Sequence, residues 1–291
     1  MKTQDYVVFC IDYRCNSHCT ICMLDGLRKK LHPISLTSFK ALLPDYEKKY
    51  VGIIFSGGEV TLNSKLPCYI AHAKDRGFRR IMIETNGRAL HDLSVLERLK
   101  TAGANEFFVS FHAADPFLSR KITRRSPAYH QTREGLENLA RLDLKVITNT
   151  VVSAVNYTTL PEIAKALVMF KNIGEMQFWA YVPLSAGHRE LLFPYSRAAT
   201  YLNTALTFLL QNSREVTVKY FPPCLLSVDH RGHYDDNQPT VVGLDQSFWK
   251  KWESCGVERC GQCSLKPGSV AARLCLQARG DGVFFKAGAH D

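Results

Sequence analysis

The chain of 291 residues has nothing that would place it in a bilayer. No apolar run reaches eighteen residues, so no membrane-spanning helix is expected. A secretory signal is missing too. The first apolar run, VVFCI (7–11), is too short, and polar residues follow at once. These absences predict a cytoplasmic protein. Internal repeats and low-complexity segments are also lacking. Acidic residues are in deficit: Asp and Glu number 27 against 37 Lys and Arg, a net charge of +10. That surplus favours an anionic substrate or partner without choosing one. The basic patches at 27–30, 78–80 and 119–125 carry no interleaved aromatics of the kind that stack on bases. They read as solvated surface, and nucleic acid is not an expected partner.

Cysteine, by contrast, is plentiful, with ten in the chain. In a cytosolic protein this number suggests metal sites better than disulfides. Three of them, Cys15, Cys19 and Cys22, stand close together just after the first β-rich run. A [4Fe–4S] cluster ordinarily takes one protein ligand per iron, so three thiolates would leave one iron open to a small chelating molecule. A structural zinc would need a fourth ligand, for which His18 is the neighbouring candidate.

The first 185 residues alternate β-rich runs (6–11, 51–56, 79–85, 106–111, 145–152, 175–182) with helical patterns (35–49, 68–77, 93–103, 133–142, 158–170). Six strands with intervening helices predict a parallel sheet, either open or curled into a partial barrel, with its sites at the carboxyl ends of the strands. Polar residues gather at those ends: the cysteine loop, then SGGEVTLN, then Glu84 to Gly87, then Ser110 and His112, then Asn149. Asp115 before Pro116 reads as a turn, and Pro44 as a kink or split in the first helix. Cys10 and Cys68 read as small buried apolar residues. Beyond residue 185 the rhythm changes: a helix over 196–212, a strand over 216–221, and a hairpin or extended loop over 226–243. Cys224 follows that strand, and Cys255, Cys260 and Cys263 form a C-x4-C-x2-C group. Together they would make a closed four-thiolate site for zinc or for a second [4Fe–4S] cluster. Cys275 is either packing or a substitute for Cys224 in that set.

The C-x3-C-x2-C motif before SGGE resembles the radical S-adenosylmethionine (radical SAM) superfamily over about residues 5–185. The resemblance implies a partial (β/α)6 TIM-like barrel at 1–190, with Cys15, Cys19 and Cys22 holding a cluster whose open iron is chelated by S-adenosylmethionine. It implies that Gly57, Gly58 and Glu59 form the methionine-binding element, with Glu59 accepting from the ammonium. Ser110 and Asn149 are candidates for the carboxylate or ribose, and Arg124 or Arg125 for the carboxylate. Ile21 departs from the family's usual aromatic near the adenine. Residues 191–291 resemble a twitch/SPASM-like extension, which implies an auxiliary cluster on Cys224, Cys255, Cys260 and Cys263. His112 would either orient substrate or serve the structure, and Cys275 would be a hydrogen-atom donor if the reaction were an epimerisation. The chain begins almost directly with its first strand, leaving no room for a peptide-recognition domain. That favours a small, anionic or sugar-like substrate over a ribosomally made peptide. A flavodoxin or ferredoxin is the expected electron donor. RNA modification and a structural zinc protein are the lesser alternatives.

Overall fold

The computed structural model describes residues 5–182, 189–235, 237 and 239–244. Eight strands form one all-parallel sheet: β1 (Tyr6–Asp12), β2 (Gly52–Gly57), β3 (Arg80–Thr85), β4 (Glu106–Ser110), β5 (Lys145–Val152), β6 (Ile173–Ala180), β7 (Glu215–Lys219) and β8 (Thr240–Val242). Their order is β7-β6-β5-β4-β3-β2-β1-β8. The first six are the expected runs, within two residues at each end. All seven residues of β1 are buried, as a parallel strand covered on both faces requires. One face packs against the helices. The other encloses a smaller apolar group of Tyr6, Val8, Ile54, Met82 and Phe108. At the amino ends of the strands, Tyr6 donates to Glu106, and Arg80 pairs with the same carboxylate at 2.9 Å while lying 4.7 Å over the Tyr6 ring. This plug closes the interior at that end and leaves the carboxyl ends open.

The helices are α1 (Leu36–Leu42), α2 (Pro44–Glu47), α3 (Leu66–Asp75), α4 (Leu93–Ala102), α5 (Pro116–Thr123), α6 (Ala128–Arg141), α7 (Leu160–Val168) and α8 (Tyr195–Gln211). Pro44 splits the first pattern, sitting in the first turn of α2, where its missing N–H costs nothing. Asp92 caps α4 through Ser94 N at 2.9 Å, and Gly103 ends it with φ 125°. Asp115 is not merely a turn former. It accepts from Leu118 N at 2.9 Å and caps α5, a helix the apolar pattern did not reveal. An Asp-Pro pair serves equally as a turn or as N-cap and first helical residue, and α5 is too short for its periodicity to decide. Cys68 is exposed on α3, against expectation, whereas Cys10 is buried.

The segment over 226–243, expected as a hairpin or an extended loop, is not a hairpin. Residues 228–233 form a 3-10 turn, and β8 pairs in parallel with β1 at the sheet edge opposite β7. The connection between the two edges is pinned at both ends. Lys219, almost fully buried, donates to Asn237 O at 2.8 Å and pairs with Asp235 at 3.3 Å. Tyr13 donates to Gly243 O at 2.6 Å. The sheet thus continues past residue 190 on one side and past β1 on the other.

Candidate active site

The carboxyl ends of the strands surround a cavity of about 310 Å³. The loop after β1 brings Cys15, Cys19 and Cys22 to its wall. The chain folds this loop with little regular structure of its own, so other segments hold it. Backbone N–H groups of His18 and Thr20 donate to Thr123 O and Ile122 O at 3.1 and 2.8 Å, hanging the loop on the end of α5. Arg88 Nη1 and Arg125 Nε converge on Asn16 O at 2.5 and 3.1 Å, and Arg88 also reaches Ser17 and Gln131. Asn86 Nδ2 donates to Asn16 Oδ1 at 2.7 Å.

The SGGE turn is knitted to the same loop. Gly58 N donates to Asp12 O, and Glu59 N to Arg14 O, each at 2.7 Å. A Cβ on Gly57, whose φ is 138°, would lie 2.0 Å from Asp12 O, and one on Gly58 would lie 2.3 Å from Arg14 O. The two glycines are therefore required by the contact between the loops as well as lining the cavity. Glu59 does not line it. Its side chain is fully buried and accepts from Thr61 N and Oγ1, Thr85 Oγ1 and Asn86 N at 2.6–3.2 Å. Burial raises its pKa against those four hydrogen bonds. As folded, the carboxylate braces the turn and the end of β3.

Ser110, Asn149, Ile21 and His112 all line the cavity. Asn149 is 6% exposed, and its Oδ1 has no hydrogen bond within the protein. Arg124 and Arg125 do not line it. Arg124 is exposed and forms the left-handed cap of α5, while Arg125 is committed to the cysteine loop. The cations at the cavity are instead Arg88 and Arg28. Arg88 follows directly on the polar end of β3, a placement that could have marked it. Arg28 sits in a basic run that reads as surface, yet it is half-buried and donates to Cys22 Sγ at 2.8 Å. Cys224 is exposed in a 3-10 turn, and Cys255, Cys260, Cys263 and Cys275 lie outside the described residues.

His112 Nδ1 accepts from Val151 N at 3.2 Å, which leaves the ring proton on Nε2. Burial pushes its pKa down to about 4. The unfolded chain then takes up a proton that the native protein refuses. Stability should fall as pH drops from about 6.5 to 4, by up to about 3 kcal/mol from this group. Urea titrations across that range should show a shallower fall for His112→Gln; parallel curves would contradict the neutral, structural imidazole.

Three thiols on one cavity wall suit an iron–sulfur cluster. Burial raises the pKa of Cys15 and, to about 12, that of Cys19, so thiolate character there needs a cationic partner. Among the described residues no three His, Cys, Asp or Glu side chains converge on a single ion. A mononuclear zinc site needs that convergence, whereas cluster ligands each bind a different iron and stand apart. His18, the candidate fourth zinc ligand, is exposed and does not line the cavity.

A model of the Radical SAM superfamily matches residues 11–167, more than half of the chain. The chain belongs to this superfamily. The family implies a [4Fe–4S] cluster and S-adenosylmethionine, and the parallel sheet is its partial barrel. Fe-coproporphyrin III synthase of Methanosarcina barkeri is 28% identical over 226 residues, covering 77% of this chain and 55% of that protein. The 7,8-dihydro-6-hydroxymethylpterin dimethyltransferase of Methanocaldococcus jannaschii is 30% identical over 149 residues, covering 49% of this chain and 29% of that one. Among solved structures, Streptococcus suis SuiB bound to its precursor peptide SuiA superposes with a TM-score of 0.62 at 14% identity, covering 74% of this chain and 48% of SuiB. The chain thus spans about half the length of such relatives, or less. No helix among the described residues is long and apolar enough to cross a membrane.

Proposed function

We propose that this radical SAM chain is an oxidoreductase that removes hydrogen from a small, anionic or sugar-like substrate. The observation that carries the proposal is the meeting of Cys15, Cys19 and Cys22 with Gly57, Gly58, Ser110 and Asn149 on one cavity. Cys15, Cys19 and Cys22 would hold the cluster, which with bound S-adenosylmethionine supplies a 5′-deoxyadenosyl radical. Gly57 and Gly58 offer backbone groups to the methionine moiety, with Glu59 bracing their turn. The unpartnered Asn149 Oδ1 accepts from a ribose hydroxyl, with Ser110 beside it. Ile21 packs against the adenine. Arg28 and Arg88 hold the anionic part of the ligand. The apolar walls exclude water from the reacting atoms.

In this reading residues 1–190 form the core and 191–291 a twitch/SPASM-like region. Cys224, Cys255, Cys260 and Cys263 would hold an auxiliary [4Fe–4S] cluster, which would supply an acceptor for the electron that leaves the substrate radical. A flavodoxin or ferredoxin in the cytoplasm would be the source of electrons for the first cluster. If the outcome is epimerisation instead, Cys275 returns the hydrogen atom. A ribosomally made peptide is the second candidate substrate, favoured by the fold shared with the peptide-bound SuiB.

After anaerobic reconstitution the chain should carry about eight irons and form 5′-deoxyadenosine from S-adenosylmethionine under reduction. Product mass in heavy water then separates the outcomes. Loss of two hydrogens is expected for oxidation, and uptake of one deuteron without that loss would mean epimerisation. Absence of 5′-deoxyadenosine would sink the reading as a whole.

A further inference from the structure

One polar group at the cavity floor has no part in the scheme above. Glu84, near the end of β3, is half-buried beside the Ser56 hydroxyl and is the one carboxyl among the described residues that line the cavity. Trp179 of β6 and Tyr220 after β7 line the same space, edge to face, with ring centroids 5.8 Å apart at 87°. The indole is fixed in place. Its N–H donates to Gln177 Oε1 at 2.9 Å, Gln177 Nε2 donates to Glu175 at 2.8 Å, and the Lys219 ammonium lies 5.7 Å from the ring centroid. A rigid aromatic wall selects flat ligands. A carboxylate selects paired N–H donors, which its two oxygens accept side by side. Arg28, whose Nε has no hydrogen bond within the protein, adds a cationic group to the same lining.

We propose that Glu84 is a specificity residue for the substrate: a planar nitrogen heterocycle that presents a ring N–H and an adjacent exocyclic amino group to this carboxylate while its ring lies against Trp179 and Tyr220. The assignment rests on the reading of this cavity as the reaction chamber, and it narrows the substrate class. The adenine of S-adenosylmethionine is not the match, because beside its amino group it presents a ring nitrogen acceptor, not a donor. Burial raises the Glu84 pKa and the nearby Glu59 adds to the rise, partly opposed by the Ser56 hydrogen bond. Two N–H donors from a ligand would favour the ionised form and so bind more tightly than one.

The test uses the full chain, anaerobically reconstituted and saturated with S-adenosylmethionine, in calorimetric titrations. The probes are two pairs: guanosine and inosine, pterin and lumazine. Each second member lacks the amino group. In at least one pair the amino compound should bind about tenfold tighter or more, the effect of one hydrogen bond to a buried charged acceptor. Glu84→Gln should bring that pair within about twofold while leaving S-adenosylmethionine affinity unchanged. The proposal is overturned if the wild type distinguishes neither pair. It is also overturned if Glu84→Gln keeps the preference, or weakens S-adenosylmethionine as much as the probe, which would assign Glu84 to the cofactor. The wild-type ratio stands whether or not the variant folds. A wild type that forms 5′-deoxyadenosine yet distinguishes neither pair refutes this assignment alone; one that forms none refutes the underlying reading.

Discussion

Replacing Cys15, Cys19 and Cys22 together with alanine should remove about four irons per chain and all 5′-deoxyadenosine formation. The three thiols share one cavity wall, and no other cysteine among the described residues lines that cavity except the buried Cys10 of β1. The loop that carries them should survive the change. It is held by backbone contacts to Thr123 and Ile122, by Arg88 and Arg125 on Asn16 O, and by the two 2.7 Å bonds to the SGGE turn. None of these uses a thiol. The variant should therefore unfold within about 2 kcal/mol of the wild type in the apo form, since the truncations remove three half-buried sulfurs and the bonds they accept from Ser17 N and Arg28, but none of the contacts that hold the loop. Iron analysis, 5′-deoxyadenosine assay and urea titration read the three quantities separately. Unchanged 5′-deoxyadenosine would exclude these cysteines from the chemistry.

Gly58→Ala should be among the most damaging single methyls in the described chain, and unlike Gly57 it tests the contact alone, without a positive φ. Its Cβ would stand 2.3 Å from Arg14 O, 2.7 Å from Tyr13 O and 2.8 Å from the Tyr13 carbonyl carbon. Those are backbone atoms, so no rotamer relieves the clash. One of the two loops must move, and the bonds from Gly58 N and Glu59 N would lengthen or break. Overpacking and two weakened hydrogen bonds together cost about 3 kcal/mol or more. The same movement displaces the cysteine loop, so iron retention should drop with stability. Gly174→Ala is the control, because a Cβ there meets nothing within 4 Å. A lower urea midpoint and iron content for Gly58→Ala, with Gly174→Ala near the wild type, is the expected pattern. Equal midpoints for the two variants would show that the loops part without cost.

The chain's periodicity and punctuation carried much of this structure. The alternation of apolar runs marked β1 to β6 within two residues, because strands buried on both faces must be continuously apolar. Pro44 announced the break between α1 and α2 for a covalent reason: its ring admits only a first-turn position. The spacing of Cys15, Cys19 and Cys22 before Gly57 and Gly58 carried the resemblance to the radical SAM superfamily, and the family match over residues 11–167 bears that membership out.

Other features depended on contacts between distant segments, which local pattern does not record. Arg28 looks like its exposed neighbours Lys29 and Lys30 until the fold turns it toward Cys22. Arg124 and Arg125 are adjacent cations, and only the left-handed end of α5 sends one to solvent and the other to Asn16 O. Glu59 reads in sequence as a group for the methionine ammonium, and the fold adds what the sequence does not record: four donors from its own turn and from Thr85 and Asn86 at the end of β3. The three residues of β8 are too few to declare a strand alone. They become one by pairing with β1, some 230 residues away, across a connection that Lys219 and Tyr13 tie down. By itself the sequence determined the strands, the thiols and the glycines, since these follow from side-chain chemistry and short-range periodicity. Which polar groups face the cavity, and which are consumed in holding it together, was decided by tertiary structure, because burial and hydrogen-bond partnership exist only once the strands lie side by side.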